Sequence, residues 1–132
     1  MRALDTNVLV RYLAADDPQQ TPVAVRLIEN CLKNQEPLFL SVLVLCETVW
    51  VLDRAYKQAK ADLLSTVEQV VDADLFVIEQ RDAVRRSIED WRKGKGDFSD
   101  YAIGNIARVA KCTDTATFDR KLKGSSGFTV LR

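Results

Sequence analysis

The chain has 132 residues, 47% of them hydrophobic and 29% charged, a composition typical of one soluble domain with a sizeable core. Lys plus Arg and Asp plus Glu number 19 each, so the overall charge does not indicate a nucleic-acid-binding protein. No apolar run approaches the roughly 20 residues of a membrane span, and Asp5 interrupts the start before a signal-peptide core can form, so we expect a cytoplasmic protein without membrane contact.

The first half of the chain alternates short apolar runs with amphipathic stretches of period 3.6. Thr21 and Pro22 are a favourable N-cap and first residue for a helix, and Ser41 is a second favourable N-cap. In chain order these patterns predict a strand at 3–4, helices at 6–15 and 22–34, a strand at 38–40, and helices at 42–56 and 60–73.

The second half predicts a strand at 75–78, a helix at 80–93, a helix at 99–109, a weak polar strand at 112–116 and a strand at 128–131. Strands that alternate with helices imply right-handed crossovers and a parallel sheet. We therefore expect a single α/β domain over residues 1–132, with a central parallel sheet of about five strands and helices on both faces. The first and fourth strands would be neighbours in this sheet.

Two acidic residues of the first half lie in positions typical of chemistry. Asp5 ends the first strand, although it is equally suited to cap the helix that follows. Glu47 is the only charged residue in the apolar stretch 42–52. Burying an unpaired carboxylate costs several kcal/mol, so Glu47 must reach a cation, a hydrogen-bond network or a solvent cleft, unless it forms a buried ion pair with an arginine.

Three further acids lie in the second half. Asp97 and Asp100 flank the start of a helix, where either one can act as a cap or complement the helix dipole. Their spacing alone does not decide which of them faces a site. Asp119 follows the fourth strand, and it could instead pair with one of the basic residues in the turn after it.

These carboxylates are predicted at the carboxyl edge of the sheet, where open α/β proteins bind ligands. The chain has no histidine, which excludes His-based catalysis and the usual zinc sites. Oxygen ligands alone favour Mg²⁺ or Mn²⁺, and such an ion can activate water for phosphodiester hydrolysis. The three cysteines are interpreted as small buried hydrophobes in a reducing compartment: Cys31, Cys46 and Cys112.

Four segments, in this order, resemble PIN-domain ribonucleases: residues 4–7, Glu47 in its apolar helix, residues 97–103 and residues 117–120. The resemblance is closest to the VapC toxins of toxin–antitoxin pairs and covers nearly the whole chain. It implies a PIN-like three-layer fold and a Mg²⁺- or Mn²⁺-dependent endoribonuclease. It also implies a homodimer that a cognate antitoxin holds inactive, and the apolar helices at 22–32 and 60–71 could serve either partner.

Carried over residue by residue, the resemblance assigns catalysis and metal binding to Asp5, Glu47, Asp100 and Asp119. Asp97 would be a further metal ligand or a helix cap. Polar residues that match supporting positions of the family are Thr6, Asn7 and Thr117. One departure is the polar stretch 111–115, where the family has a more apolar strand.

Basic residues near the acids would hold the RNA backbone or form a solvated surface: Arg85, Arg92, Lys93, Lys95 and Arg120. The aromatic residues Trp50, Trp91 and Tyr101 are candidates for base stacking. Helical spacing favours a place in the core for Trp50.

Two other functions remain open from the residues. A receiver-like module that binds Mg²⁺ and accepts a phosphoryl group needs an Asp after a middle strand, but the strand at 75–78 is followed by Glu79 and Gln80. A PIN-like scaffold without activity is the other alternative, and the complete acidic set argues against it.

Overall fold

Six α-helices, five short strands and one 3₁₀ helix follow one another in a computed structural model that describes residues 1–132. The chain forms two units, residues 1–79 and residues 80–132. The assignment of the whole chain to one domain therefore stays a prediction.

The first unit is built on a three-stranded parallel sheet in the order β1-β2-β3. Its strands are β1 (Arg2–Ala3), β2 (Leu38–Leu40) and β3 (Phe76–Ile78). Its helices are α1 (Thr6–Ala14), α2 (Gln20–Lys33), α3 (Val42–Arg54) and α4 (Lys60–Asp72). The sheet and the helices share a core that includes Leu9, Ile28, Leu38, Leu52 and Val71, all of which are almost completely buried.

The second unit contains α5 (Arg81–Lys93), α6 (Phe98–Val109), β4 (Thr115–Thr117), a 3₁₀ helix (Arg120–Leu122) and β5 (Phe128–Val130). Strands β4 and β5 pair in parallel. A buried polar contact joins the two helices, because the Asn105 amide donates to Ser87 Oγ and to Asp90 Oδ2, both at 3.0 Å. The rings of Trp91 of α5 and Phe98 of α6 also pack together, with their centroids 5.6 Å apart.

The α/β class and the five parallel strands agree with the sequence analysis. Hydrogen bonds connect the strands as two sheets, one in each unit, rather than as the one central sheet that we expected. Each strand has only two or three residues, so each pair of strands is joined by few backbone hydrogen bonds.

The predicted start of α2 is wrong, because an upstream aspartate satisfies the first amides of this helix. Asp17 Oδ1 accepts from the N–H groups of Gln20 and Gln19, at 2.7 and 2.9 Å. Thr21 lies inside the helix, where its hydroxyl accepts from the Asp17 N–H at 3.1 Å. The same backbone hydrogen bonds, from Gln20 first and then Gln19, lower the pKa of Asp17 from its ordinary value of 3.8.

The cysteines differ in exposure, and one of them contradicts the prediction. Cys31 is buried and Cys46 is half-buried, and burial raises the pKa of the Cys46 thiol to about 11. Cys112 is exposed because it lies in the polar turn before β4 rather than within a strand. No helix combines the length and the apolar character needed to cross a bilayer.

Candidate active site

The first unit joins two of the predicted carboxylates through one threonine. Asp5 is the N-cap of α1, and its Oδ1 accepts from the Thr6 N–H at 2.8 Å. The Thr6 hydroxyl is buried and donates to Glu47 Oε1 at 2.9 Å. Thr6 therefore hydrogen-bonds to both carboxylates, whereas Asn7 is exposed and hydrogen-bonds to neither. A supporting role of the two residues at a metal site stays a prediction. We call Asp5 and Glu47 the first-unit acids.

Glu47 is exposed, so the alternative of a buried ion pair is wrong. The buried side of α3 carries Leu45, Val49 and Leu52, and Glu47 lies on the opposite side. Ser41 Oγ caps α3 as predicted by accepting from the Val44 N–H at 3.1 Å.

Glu79 supplies a further cap to the same helix. Its Oε1 accepts from the Val42 N–H at 2.9 Å. The residue after β3 therefore serves the start of α3, and this position carries no aspartate of the kind that a receiver module needs.

In the second unit, Asp97 is the N-cap of α6 and Asp100 stands one turn into the helix. Asp100 Oδ2 accepts from the Asp97 N–H at 2.8 Å, which fixes the carboxylate at the helix start. Gly96 is buried against it, since a Cβ built at Gly96 would lie 3.1 Å from Asp100 Oδ2 and 2.7 Å from Leu122 Cδ2. The Gly96 N–H donates to the Tyr101 hydroxyl at 3.0 Å. Sequence reasoning missed this role of Gly96, for which a glycine directly before a capping acid was the signal.

Asp119 caps the 3₁₀ helix, with Oδ1 accepting from the Lys121 N–H at 2.9 Å. Its own N–H donates to Thr117 Oγ1 at 3.0 Å, so Thr117 holds the backbone of Asp119 rather than its carboxylate. The Lys121 ammonium lies 3.9 Å from Asp119 Oδ2, which is the turn ion pair considered as an alternative. We call Asp97, Asp100 and Asp119 the second-unit acids.

The exposure of the aromatic candidates is the reverse of the prediction. Trp91 and Tyr101 are buried and cannot stack on a base, whereas Trp50 is 60% exposed rather than in the core. The exposed Phe118, which directly precedes Asp119, was not singled out from the sequence. The predicted RNA-binding cations are all exposed: Arg85, Arg92, Lys93, Lys95 and Arg120.

The donor atoms fit a hard divalent cation. Asp5, Glu47 and Asp100 each use one carboxylate oxygen in a hydrogen bond, and none of the three forms an ion pair. Each keeps a second oxygen for a ligand, and carboxylate oxygens are what Mg²⁺ and Mn²⁺ prefer. Within neither unit do three or more Asp, Glu or Cys residues form a complete metal-binding group.

Comparison with known proteins identifies the family of the chain. The family model of the PIN domain matches residues 2–124. The chain belongs to the PIN-domain family. As a PIN domain it resembles the VapC ribonuclease of Aquifex aeolicus (strain VF5), with 27% identity over 123 residues that cover 93% of this chain and 90% of that protein. The resemblance to PIN domains and VapC ribonucleases predicted from the sequence is thereby confirmed. The matched span of this PIN domain includes all five predicted acids.

Proposed function

We propose that this PIN domain is an endoribonuclease that hydrolyses RNA phosphodiester bonds with Mg²⁺ or Mn²⁺. The observation that carries the proposal is how the carboxylate oxygens are hydrogen-bonded. Asp5, Glu47 and Asp100 are each oriented through one oxygen and keep the other without a cationic partner. The relationship to a VapC ribonuclease supports RNA as the substrate.

Asp5 and Asp100 are proposed as direct metal ligands, and Glu47 and Asp119 as ligands of a second metal or of its waters. Asp97 contributes mainly as the N-cap of α6, and its backbone N–H also holds the Asp100 carboxylate. Support comes from chemistry and family membership: carboxylate oxygens are the ligands that Mg²⁺ and Mn²⁺ prefer, and the chain belongs to the PIN-domain family.

In this proposal the residues around the carboxylates also have definite tasks. The bound cation supplies charge that lowers the pKa of a water molecule and offsets charge on the phosphate. Thr6 holds Glu47 in place, and Gly96 leaves room for the Asp100 carboxylate. The exposed cations Lys93, Lys95 and Arg120 would hold the RNA backbone, which the carboxylates would otherwise repel.

We further propose that the protein is the toxin of a type II toxin–antitoxin pair, acts in the cytoplasm and forms a homodimer. The apolar residues of α4 are buried, so this helix offers little to a partner. Helix α2 exposes Val23, which lines a pocket together with Leu27 and with Val8 of α1, and this makes it the better candidate surface for an antitoxin or a second copy.

The test is cleavage of total RNA by the parent chain and by Asp5→Asn and Asp100→Asn, with Mg²⁺, with Mn²⁺ and with a chelator. Asp74→Asn is the matched control, because Asp74 is an exposed acid without a hydrogen bond or ion pair. We expect cleavage by the parent and the control only, and only with metal. Removing a metal ligand should cost at least about 100-fold in rate.

Binding of the metal is measured separately from activity. Mn²⁺ should raise the melting temperature of the parent and of Asp74→Asn, and raise that of Asp5→Asn much less. Equal cleavage by the parent and Asp5→Asn, or no cleavage by the parent with either metal, would contradict the proposed function. If Mn²⁺ also failed to stabilise the parent, the chain would be a scaffold without activity.

A further inference from the structure

A small polar cavity lies in the second unit, apart from the acids of the proposed nuclease. Its volume is about 200 Å³, and it is lined by residues of α6, of the turn before β4 and of the turn before β5. Pockets for drug-sized molecules begin at about 300 Å³, so this cavity suits a group of the size of one amino acid. None of the five predicted acids lines it.

Two side chains of opposite charge line the cavity without neutralising each other. Arg108 is exposed, its Nη2 lies 3.5 Å from Ser126 Oγ, and no carboxylate forms an ion pair with it. Asp114 has no cationic partner either. Its Oδ2 accepts from the Thr129 hydroxyl, which leaves Oδ1 for a ligand. A ligand that carries both a carboxylate and an ammonium group would complement the two charges at once.

A shielded hydroxyl in the same cavity wall lacks a hydrogen-bond partner. Thr115 lines the cavity, and its Oγ1 is buried from solvent and unpaired. Leaving a buried polar group unpaired is costly, so most such groups in native proteins have a partner. A polar atom of a molecule in the cavity can be that partner, which is a second and independent indication of a ligand.

Cys112 adds a reactive group to this cavity. Its thiol is free and exposed, and it lines the cavity together with Arg108 and Asp114. Thiolates exchange with disulfides at rates that depend on access to the thiol. A disulfide held by the two charges would therefore be presented to the thiol of Cys112.

We propose that the cavity is a modification site, at which Cys112 forms a mixed disulfide with a small disulfide whose halves each carry an ammonium and a carboxylate group, as cystine does. The transferred half would keep its carboxylate at Arg108 and its ammonium at Asp114. The inference goes beyond the proposed nuclease and does not depend on it.

The step is a thiol–disulfide exchange. The Cys112 thiol gives its proton to water, and the thiolate attacks one sulfur of the bound disulfide. A bond forms between Cys112 Sγ and that sulfur, the disulfide bond of the ligand breaks, and the departing thiolate takes up a proton from water. Cys112 is oxidised and the departing half is reduced, so the ligand itself is the oxidant.

The experiment incubates the native chain with cystine, glutathione disulfide, cystamine or hydroxyethyl disulfide and follows the mass of the protein. Cystamine lacks the carboxylates, hydroxyethyl disulfide lacks both charges, and each half of glutathione disulfide is a tripeptide that is too large for the cavity. Each rate is divided by the rate of the same disulfide with N-acetylcysteine, which removes differences in intrinsic reactivity.

We expect one added half-cystine, which peptide mapping locates at Cys112. The normalised rate for cystine should exceed that for hydroxyethyl disulfide by about 2- to 30-fold, the effect of two exposed charge pairs. Cystamine and glutathione disulfide should both react more slowly than cystine. We call the ratio of the cystine rate to the hydroxyethyl disulfide rate the cystine preference.

Substitutions then measure what each side chain contributes. Arg108→Gln and Asp114→Asn each remove one charge and should lower the cystine preference by about 1.5- to 5-fold. Thr115→Val keeps the shape of the side chain without its hydroxyl and should lower the preference as well. Arg86→Gln removes an exposed arginine of the same unit outside the cavity and should keep the preference of the parent. Cys112→Ser should gain no adduct.

Equal normalised rates for cystine and hydroxyethyl disulfide would overturn the proposal and leave the cavity to water. A cystine preference that survives in both Arg108→Gln and Asp114→Asn would overturn it too, as would an adduct at Cys46 instead of Cys112. A higher rate with glutathione disulfide than with cystine would assign the thiol to a larger peptide and contradict the fit to the cavity. No arm measures RNA cleavage, so failure of the proposed nuclease would leave these results unchanged.

Discussion

In the first unit Glu47 is oriented by tertiary packing, whereas Asp5 and the acids of the second unit are held by local backbone contacts. The hydrogen bond from Thr6 to Glu47 spans 41 positions of sequence and requires α1 to be packed on α3. The bonds that hold Asp100 and Asp119 join residues only two or three positions apart. Slight loosening of the helices should therefore disturb Glu47 before it disturbs the second-unit acids.

This contrast has a physical origin. A capping contact forms wherever the helix start forms, because both partners are carried by the same few residues. A contact between two helices forms only when the core between them is correctly packed. Substitutions that remove one kind of support and leave the other intact should therefore affect the acids of the two units differently.

The largest effect is expected where the second unit does depend on packing, at Gly96. Gly96→Ala would place a methyl group against Leu122 and the Asp100 carboxylate, and such overpacking costs about 1–3 kcal/mol of unfolding free energy. The displaced Asp100 should also lower metal-dependent cleavage. Ser99→Ala, in the first turn of the same helix, is the control and should stay within about 0.5 kcal/mol. Denaturant unfolding of both variants checks this, and a fully stable Gly96→Ala would contradict it.

A smaller and more diagnostic difference is expected between two threonines. Thr6→Val keeps the shape of a buried side chain but removes the donor to Glu47, at a cost of about 0.5–1.5 kcal/mol and roughly 10- to 100-fold in cleavage. Thr117→Val should have a weaker effect, because the Lys121 N–H still holds Asp119. Thr6→Ser restores the donor and should recover activity. Equal losses at both threonines would remove the distinction between the units.

Acid should weaken the start of α2 in the first unit. The pKa of Asp17 is lowered in the folded chain, so the ionised form stabilises the fold above the ordinary value of 3.8. This contribution disappears as the pH falls through the lower, folded pKa. Asp17→Asn keeps an acceptor oxygen but does not titrate. Urea unfolding at neutral pH and below 3.8 should therefore show a larger acid loss in the parent than in the variant, and identical losses would count against the cap.

The mildest test compares the thiols of the two units in the native protein. Cys112 of the second unit is exposed and should react quickly with a disulfide reagent. Cys31 is buried, and the raised pKa of Cys46 keeps its thiol protonated, so both should react only after unfolding. The number of thiols that react with the reagent should be one in the native protein and three after denaturation. Rapid reaction of all three would indicate that the first unit opens readily.

Local signals made the order of elements predictable from the sequence. The cap at Ser41 and the 3.6-residue period placed six helices within a few residues of their observed positions. The start of α2 was misplaced because Pro22 is also tolerated in the first turn of a helix that begins at Gln20.

Helix α3 was the least predictable element. Its residues are apolar almost all round, so periodicity cannot tell which side faces the core. This is why Glu47 was considered for a buried ion pair and Trp50 for the core, whereas both are exposed. The choice is made by tertiary packing of α3 against α1 and α4, which the local pattern does not contain.

The candidate site was predictable in its residues but not in its support. The carboxylates and the supporting Thr6 and Thr117 came from the resemblance to PIN domains. The bond from Thr6 to Glu47 and the close approach of Gly96 to Asp100 could not be foreseen, because they depend on how the elements pack. That the acids of both units share one metal site stays a prediction.

The cap at Asp5 has a consequence for how this chain can change over generations. Asparagine caps helices about as well as aspartate, and its side-chain oxygen can accept the same bond from the Thr6 N–H. One base change in the codon therefore suffices to exchange the charge for an amide without harming the fold. A lineage could silence the proposed nuclease by that step. Under the proposed toxin–antitoxin role, the silenced protein would still occupy the antitoxin and so leave any active copies in the cell less restrained.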